Sequence, residues 1–400
     1  MEKMANRDDS MGRREKLANF AAICLWIITS LTMAVIAYFV HGQDFRGYYA
    51  AARVLLGGGN PYDYSQVAAV LLDVTGRAGN NPFYYPLWFG WFVAPLAWIP
   101  FQLARALWML FNWTVWSIGL VRLQQLLGWP PKGWRNWLMN LLATFVFAWM
   151  TWKFEQTGIL LFAMMVEILF AYRKQHWNRM GVYLALSLIK PNIMLLPVAT
   201  LAAWLIRQKN WRPVLVMLVI LMGLILVTTL MTPDWYQPIF RANFGQGLTN
   251  VLDGPNQVTG TRLNTTLLDW MKILLVSRDL RNLLYAVLVL IGLLIVALTV
   301  SKSQSIMQVT IISVLITFAI TPYALQYDFP PLTIVLFWSA ALANYAASKK
   351  IPLLIISFIA SVLIWERPIS EGYWIVIGLC GLAIWSWQVN KNKEIPQNLL

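Results

Sequence analysis

Long apolar runs separated by short basic segments constrain the fold of this chain more than any other feature. The first run, 18–40, contains 23 residues and no charged side chain, and about 20 apolar residues are enough for a helix to cross a bilayer. It is too long to be a cleaved signal peptide, and it lacks a small-residue cleavage site. Further runs predict spans at 103–121, 137–152, 156–172, 191–206, 213–232, 283–300, 306–321, 331–347, 351–365 and 373–389, with a shorter piece at 181–189. The sequence therefore predicts an all-α polytopic membrane protein with about twelve transmembrane helices.

Composition and charge are consistent with this class of protein. Of the 400 residues, 59% are hydrophobic and 12% are charged, which is more apolar than a soluble domain requires. The net charge of +14 could suggest nucleic acid, but the basic residues lie in short clusters between the apolar runs, as cytoplasmic loops do. We therefore expect no nucleic-acid partner and both termini in the cytoplasm. The clusters are Arg122/Lys132/Arg135, Arg173/Lys174/Arg179, Arg207/Lys209/Arg212, Lys302, Lys349/Lys350 and Lys391/Lys393.

Residues 41–102 are predicted to form the first extracytoplasmic loop, because they are rich in Pro, Gly, Tyr and Trp. We expect short helices that lie along the membrane interface, with aromatic side chains at headgroup level. The stretch 86–100 is interrupted by Pro95 and Pro100, so we expect a re-entrant or juxtamembrane helix there. The predicted divisions are a transmembrane module at 1–232 that includes this loop, a second extracytoplasmic loop at 233–282, C-terminal transmembrane helices at 283–390 and a cytoplasmic tail at 391–400.

Asp44 lies just past the first apolar run, where a membrane helix would reach the far surface of the bilayer. A carboxylate at that boundary could take the proton of an attacking hydroxyl, which is the role of a general base. It could equally be solvated or paired with Arg46. The sequence leaves both interpretations open.

Lys190 is the least expected charge in the chain, because apolar residues surround it on both sides. A lysine at the bilayer centre costs about 2.5–3.5 kcal/mol on insertion scales. It precedes Pro191, and a helix broken by proline is tolerated in a membrane where it lines a polar cavity. Lys190 is therefore either a cation for a lipid-borne phosphate or a lysine that reaches an interface or the carbonyl groups freed by the proline.

Two further polar groups stand where predicted spans meet the extracytoplasmic side. Glu155 and Gln156 open one span, and the segment 321–328 closes another. We expect these groups to converge near Asp44, although anchoring at the interface would explain Tyr327 equally well.

Several common site signatures are absent from the sequence. It contains no P-loop, dinucleotide glycine motif, zinc-ligand spacing or Asp-x-Asp motif, so nothing indicates a bound nucleotide or a divalent metal. The two cysteines, Cys24 and Cys380, lie inside apolar runs and say nothing about redox compartment. Glu167 lies inside a predicted span, where we expect it to pair with a neighbouring helix.

Several short motifs follow one another along most of the chain. They are Gln43-Asp44-Phe45-Arg46-Gly47-Tyr48-Tyr49, Gly59-Asn60-Pro61-Tyr62-Asp63, Pro82-Phe83-Tyr84-Tyr85-Pro86, Gln156-Thr157-Gly158, Lys190-Pro191, Asn264-Thr265-Thr266 and Thr321-Pro322. In this order they resemble the GT-C glycosyltransferases of family 87, which are polytopic enzymes that use polyprenyl-phosphate-linked sugars.

The resemblance implies a GT-C-like helical bundle, with the catalytic module at 1–232 and Asp44 as the catalytic base. It also implies a pocket for the phosphate and sugar of the donor. The residues expected to line that pocket are Tyr85, Gln156, Lys190, Arg262, Asn264, Gln326, Tyr327 and Asp328. Some mannosyltransferases of the family carry a Ser-Pro-x-x-x-x-His-His run, where this chain has Thr321-Pro322 and then Tyr327-Asp328. Mannose is therefore only one candidate for the sugar.

We expect an inverting glycosyltransferase at the extracytoplasmic face of the cell membrane, acting as a monomer without a metal. Its donor would be a polyprenyl-phosphate-linked hexose or pentose, and its acceptor a lipid or a cell-envelope glycan. The missing nucleotide motifs disfavour a soluble nucleotide-sugar donor. A transporter or flippase of lipid-linked sugars is the alternative, and a non-catalytic subunit of a larger membrane complex is a third interpretation. The absence of a visible repeat, and polar loops on one predicted face, favour the enzyme over the transporter.

Overall fold

The computed structural model describes residues 44–76, 83–128, 143–233, 235–237, 266–274 and 277–345, together with isolated positions within 20–39 and at 140 and 378. The regular elements in this part of the chain are helical, as predicted. The helices are α1 Phe45–Leu56, α2 Tyr64–Thr75, α3 Leu87–Val93, α4 Phe101–Leu126, α5 Trp149–Phe154, α6 Gly158–Arg173, α7 Trp177–Leu186, α8 Pro191–Arg207, α9 Arg212–Met231, α10 Leu267–Leu274, α11 Arg278–Lys302, α12 Ile306–Ile320 and α13 Leu332–Tyr345.

Three of these helices are long and apolar enough to cross a membrane. They are α4 with 26 residues, α9 with 20 and α11 with 25. The outward side chains of the last two are apolar, as lipid contact requires, with Leu226 60% and Leu290 65% exposed. The shorter helices α8 and α12 are also apolar and coincide with predicted spans. The count of about twelve spans stays a prediction, because 18–40, 351–365 and 373–389 fall outside the described residues apart from isolated positions.

Basic loops meet at one end of the bundle. Arg173, at the end of α6, donates to the carbonyl groups of Gln125 and Leu126 at the end of α4, at 3.1 and 2.7 Å. Arg207, at the end of α8, donates to the carbonyl group of Ser303 just after α11, at 2.9 Å. Tyr172 of α6 contacts Trp204 of α8, with ring centroids 5.6 Å apart. The loops with these basic residues therefore lie on the same side, which is the arrangement that the charge pattern predicts for cytoplasmic loops.

Helix α1 is buried, which corrects the expectation that the aromatic side chains of this part of the loop lie at headgroup level. The exposed fractions of Phe45, Tyr48 and Tyr49 are only 0%, 4% and 3%. Phe45 stacks on Phe101 and Trp108 of α4, with ring centroids 6.1 and 5.5 Å apart. The physical reason is that aromatic pairs of this kind contribute about 0.5–1.5 kcal/mol beyond the burial of their apolar area.

The stretch 86–100 forms a short helix, in agreement with the prediction of a helix that does not span. Helix α3 continues into a 3-10 turn that ends at Trp98, and α4 begins after Pro100. A helix from Leu87 to Trp98 is too short to cross about 30 Å of hydrocarbon. Trp98 is 76% exposed, as expected for an aromatic side chain near an interface.

The helical conformation is interrupted between α7 and α8, at the predicted position. Helix α7 begins at Trp177, earlier than the predicted piece 181–189, and ends in the 3-10 turn Ser187–Ile189. Lys190 has φ −130° and ψ 80°, outside the helical region, and Pro191 takes the first position of α8, where a missing N–H removes no helical hydrogen bond. Lys190 therefore stands between two helix ends instead of inside a continuous helix.

The loop after α12 docks against α5 and α6 through the 3-10 turn Gln326–Asp328. The hydroxyl of Thr151 donates to the carbonyl group of Tyr327 at 2.7 Å. A Cβ at Gly158 would lie 2.2 Å from that same carbonyl oxygen, so this approach requires glycine at the first position of α6. The loop that follows α12 is therefore fixed against the end of α5 and the start of α6.

Candidate active site

Asp44 is held at the turn between α5 and α6 by two hydrogen bonds. Its backbone N–H donates to the carbonyl group of Phe154 at 3.3 Å, and its Oδ2 accepts from the Nε2 of Gln156 at 2.5 Å. The side chain is half-buried. Asp44 is therefore attached to a second element of the bundle. A carboxylate that is simply solvated at the end of a helix would not need this attachment.

Gln156 connects Asp44 to two phenol groups. Its Oε1 accepts from the hydroxyl of Tyr48 at 2.7 Å and from the hydroxyl of Tyr85 at 2.8 Å. The two hydroxyl oxygens are themselves 2.9 Å apart, and the hydroxyl of Thr157 is 3.3 Å from that of Tyr85. Sequence reasoning missed Tyr48, although its position one helical turn after Asp44 places both on the same face of α1.

Lys190 forms a buried ion pair with Asp328. Their side chains are only 9% and 0% exposed, and Oδ2 of Asp328 also accepts from the N–H of Leu325 at 3.1 Å. The ammonium lies over the rings of Tyr327 and Tyr85, at 4.9 and 5.8 Å from their centroids. Lys190 therefore neither reaches an interface nor stands as an isolated cation, because a carboxylate and two ring faces surround it.

Tyr85 lies between these two groups and connects them. Its hydroxyl contacts Gln156, and its ring faces the ammonium of Lys190. The predicted convergence of polar groups near Asp44 is therefore present in the structure. The predicted residues that meet in this cluster are Asp44, Tyr85, Gln156, Lys190, Tyr327 and Asp328.

The remaining predicted site residues are Gln326, Arg262 and Asn264. Gln326 is buried in the same 3-10 turn, with 2% exposure. Arg262 and Asn264 lie outside the described residues, so their assignment to a donor pocket stays a prediction.

Burial keeps two phenols of the cluster neutral. Burial raises the pKa of Tyr48 well above its ordinary value, and the neighbouring Tyr85 and Asp44 raise it further. Burial likewise raises the pKa of Tyr327, with added contributions from Tyr323 and from Asp328 and Asp44. Both side chains therefore keep their hydroxyl protons and remain hydrogen-bond donors at neutral pH.

The segment between α12 and the 3-10 turn is tied to the start of α8. Asn192 donates from its side-chain amide to the carbonyl group of Tyr323 at 3.1 Å, and the hydroxyl of Thr321 donates to the carbonyl group of Asn192 at 3.2 Å. Burial raises the pKa of Tyr323 to about 12. Sequence reasoning missed Asn192, which has no local pattern that distinguishes it.

A second buried ion pair supports the turn that presents Gln156. Glu155 has a left-handed backbone with φ 60°, which is uncommon for a residue with a side chain. Its carboxylate pairs with Arg105, with exposed fractions of 1% and 7% for the two side chains, and its carbonyl group accepts from Nε1 of Trp108 at 2.9 Å. The pair and this hydrogen bond stabilise the turn between α5 and α6, which offsets the backbone strain.

Glu167 belongs to a separate network at the basic end of the bundle. It forms ion pairs with Arg122 of α4 and Arg179 of α7. The expectation of a structural pair with a neighbouring helix is confirmed, and Glu167 takes no part in the cluster around Asp44.

Comparison with protein families gives one match. The sequence model of Glycosyltransferase family 87 matches residues 83–322, which is more than half of the chain. The matched region contains Tyr85, Gln156 and Lys190, while Asp44 lies 39 residues before its start and Asp328 six residues after its end. No curated protein and no solved structure matches the chain.

Proposed function

The chain belongs to glycosyltransferase family 87, and from that premise we propose that it transfers a sugar from a polyprenyl-phosphate-linked donor to a lipid or cell-envelope glycan acceptor. The single observation that carries this proposal is the cluster around Tyr85. On one side of that residue lies the carboxylate of Asp44, held by Gln156, and on the other lies the ammonium of Lys190, paired with Asp328. A base and a buried cation on either side of one tyrosine suit group transfer from a phosphate.

Asp44 is the proposed general base. Its carboxylate takes the proton of the acceptor hydroxyl while the hydroxyl oxygen attacks the anomeric carbon of the sugar. The bond from that carbon to the phosphate oxygen breaks, and the polyprenyl phosphate leaves with the bonding electron pair. A single displacement of this kind inverts the configuration at the anomeric carbon.

Lys190 and the hydroxyl of Tyr327 are proposed to offset the charge that develops on the leaving phosphate. Because Asp328 already neutralises Lys190, this part of the site offers N–H and O–H donors but no net positive charge. A phosphodiester donor carries one negative charge, whereas a diphosphate donor carries two, so the site is better suited to the phosphodiester. Arg262 and Asn264 complete the proposed donor pocket.

We place the site at the extracytoplasmic face of the cell membrane, with both termini in the cytoplasm. The support is that the basic loops ending α4, α6 and α8 meet at the opposite end of the helices from Asp44 and Lys190. The prenyl chain would lie between helices. The mechanism uses no metal, the enzyme is proposed to act as a monomer, and the sugar is mannose or another hexose or pentose.

Transfer by purified protein tests the proposal. The full-length protein is reconstituted in vesicles containing a lipid extract of the source cells, with radiolabelled polyprenyl-phosphate mannose, glucose and arabinose as separate donors. We expect label in a lipid or glycan product from at least one donor. Asp44→Asn should lower turnover at least about a hundred-fold, which is the usual contribution of a general base.

The matched control is Asp63→Asn, which changes another carboxylate of the first loop. Asp63 is exposed and caps α2, and asparagine is an equally good cap, so transfer should remain near the wild-type rate. Near-normal transfer by Asp44→Asn would refute the role of Asp44. Movement of the lipid-linked sugar across the vesicle membrane, without product from any donor, would favour the flippase instead.

A further inference from the structure

We propose that Gln156 is a positioning residue that acts through Asp44, and that Tyr48 and Tyr85 set the direction in which its amide group points. The inference rests on the proposed role of Asp44 and deepens it. In this inference Gln156 positions the general base, Asp44, whereas the family resemblance places Gln156 in the donor pocket.

The geometry gives the amide one favourable orientation. The Oε1 of Gln156 accepts from two phenol hydroxyls at 2.7 and 2.8 Å, and the Nε2 faces Oδ2 of Asp44 at 2.5 Å. Rotating the amide by half a turn would bring its oxygen against a carboxylate oxygen, and two acceptors repel each other. It would also take the acceptor away from both phenols. The two tyrosines and the carboxylate therefore favour the same orientation.

This orientation has a chemical consequence for Asp44. A hydrogen bond donated to an ionised carboxylate stabilises the charged form, which is the form that a base requires. It also holds the carboxylate against the turn between α5 and α6, so that an acceptor hydroxyl meets a base in a defined position. Hydrogen bonds to charged groups contribute enough that losing one typically lowers the population of the competent form about ten- to a hundred-fold.

The titratable groups that interact with Asp44 or with its partner Gln156 are the phenols of Tyr48, Tyr85 and Tyr327. Arg46 lies two positions after Asp44 in the sequence, and Lys153 and Glu155 stand on either side of Phe154, whose carbonyl group accepts from the N–H of Asp44. Burial raises the pKa of Tyr48 and Tyr327, so they stay neutral where a carboxyl group titrates. Lys190 and Asp328 lie farther along the cluster, where they form their ion pair.

The first experiment replaces Gln156 with methionine, which has a similar length but no donor. We expect kcat to fall about ten- to a hundred-fold, with KM for the donor changed less than about two-fold. The acid limb of the pH–rate profile should move to higher pH, because the carboxylate has lost a donor. Gln156→Glu should move that limb further, because two adjacent carboxyl groups cannot both ionise easily. A rise in KM with an unchanged kcat and pH profile would return Gln156 to the donor pocket.

The second experiment tests the two tyrosines. Either Tyr48→Phe or Tyr85→Phe leaves one hydroxyl to orient the amide, so each should lower kcat less than about three-fold. The double variant removes both hydroxyls, and we expect a loss several times larger than the product of the single effects. Phenylalanine keeps the ring of Tyr85 over Lys190, so this contact is unchanged. Single effects that simply multiply would refute the orienting role.

A measurement without turnover separates this inference from the proposed function. Infrared difference spectra of wild-type protein and Asp44→Asn identify the carboxyl band of Asp44, and the band is then titrated in wild type and in Gln156→Met. A midpoint at higher pH in Gln156→Met supports the contact even if no sugar donor is used by the protein. An identical midpoint would overturn the inference, whatever the transfer assay shows.

Discussion

The ion pair between Lys190 and Asp328 makes a quantitative prediction about stability. Asp328→Asn removes the negative charge but keeps an oxygen that can accept from the N–H of Leu325, the contact that Asp328 makes at 3.1 Å. The ammonium of Lys190 then remains buried, with a side chain only 9% exposed. Removing one partner of a buried ion pair typically lowers the free energy of unfolding by about 3–5 kcal/mol. Because the rings of Tyr327 and Tyr85 still face the ammonium, we expect the lower end, about 3 kcal/mol.

The assay is equilibrium unfolding in mixed detergent micelles, measured for wild type, Asp328→Asn, Lys190→Met and the double variant. The double variant contains no buried charge at this position, so its free energy of unfolding should return to within about 1 kcal/mol of wild type. The control Lys153→Met removes an exposed lysine and should change stability by less than about 0.5 kcal/mol. A cost below about 1 kcal/mol for Asp328→Asn, or additive effects in the double variant, would refute the idea that this charge is shielded from water.

Two further predictions concern the framework of the site. Gly158→Ala should destabilise the protein by about 2–3 kcal/mol and abolish transfer, since its Cβ would lie 2.2 Å from the carbonyl oxygen of Tyr327. The control is Gly223→Ala, whose Cβ would meet nothing within 4 Å. This control should be neutral or slightly stabilising in the same unfolding assay. Asp63→Ala should raise hydrogen exchange at the start of α2 about five-fold, because Asp63 accepts from the N–H of Ser65. Hydrogen bonds from Ser65 lower the pKa of Asp63, so this protection should be complete above the ordinary carboxyl pKa and be lost as the pH falls through the lowered value. A protection factor, corrected for the intrinsic exchange rate at each pH, that is unchanged in the variant or with pH would contradict the capping role.

Much of the fold followed from local patterns in the sequence. The helices around 103–121, 213–232 and 283–300 were predicted because long apolar segments must satisfy their backbone groups internally. The break before Pro191 was predicted because proline lacks an N–H and clashes with the preceding turn. The first loop was harder, since aromatic residues look the same in sequence whether they lie at an interface or in a protein core, and α1 proved to be buried.

The candidate site was predicted in outline but not in its contacts. Asp44, Lys190 and Gln156 stood out because each is polar at the end of an apolar run. Nothing local indicated that Tyr48 donates to Gln156, because the two residues are 108 positions apart. Arg105 was missed for the same reason, since its partner Glu155 is 50 positions away along the chain.

The sequence by itself determined that the protein is helical and belongs in a membrane. In hydrocarbon a chain must pair all of its own backbone groups, which leaves helices and closed barrels, and apolar runs of about 20 residues indicate helices. Only the tertiary structure decided the partners of the buried polar side chains. Lys190 and Asp328 are separated by 138 positions, and either could have met other charges. Packing of the 3-10 turn against α6 brings them together, because a buried charge is stable only where the fold supplies its counterpart.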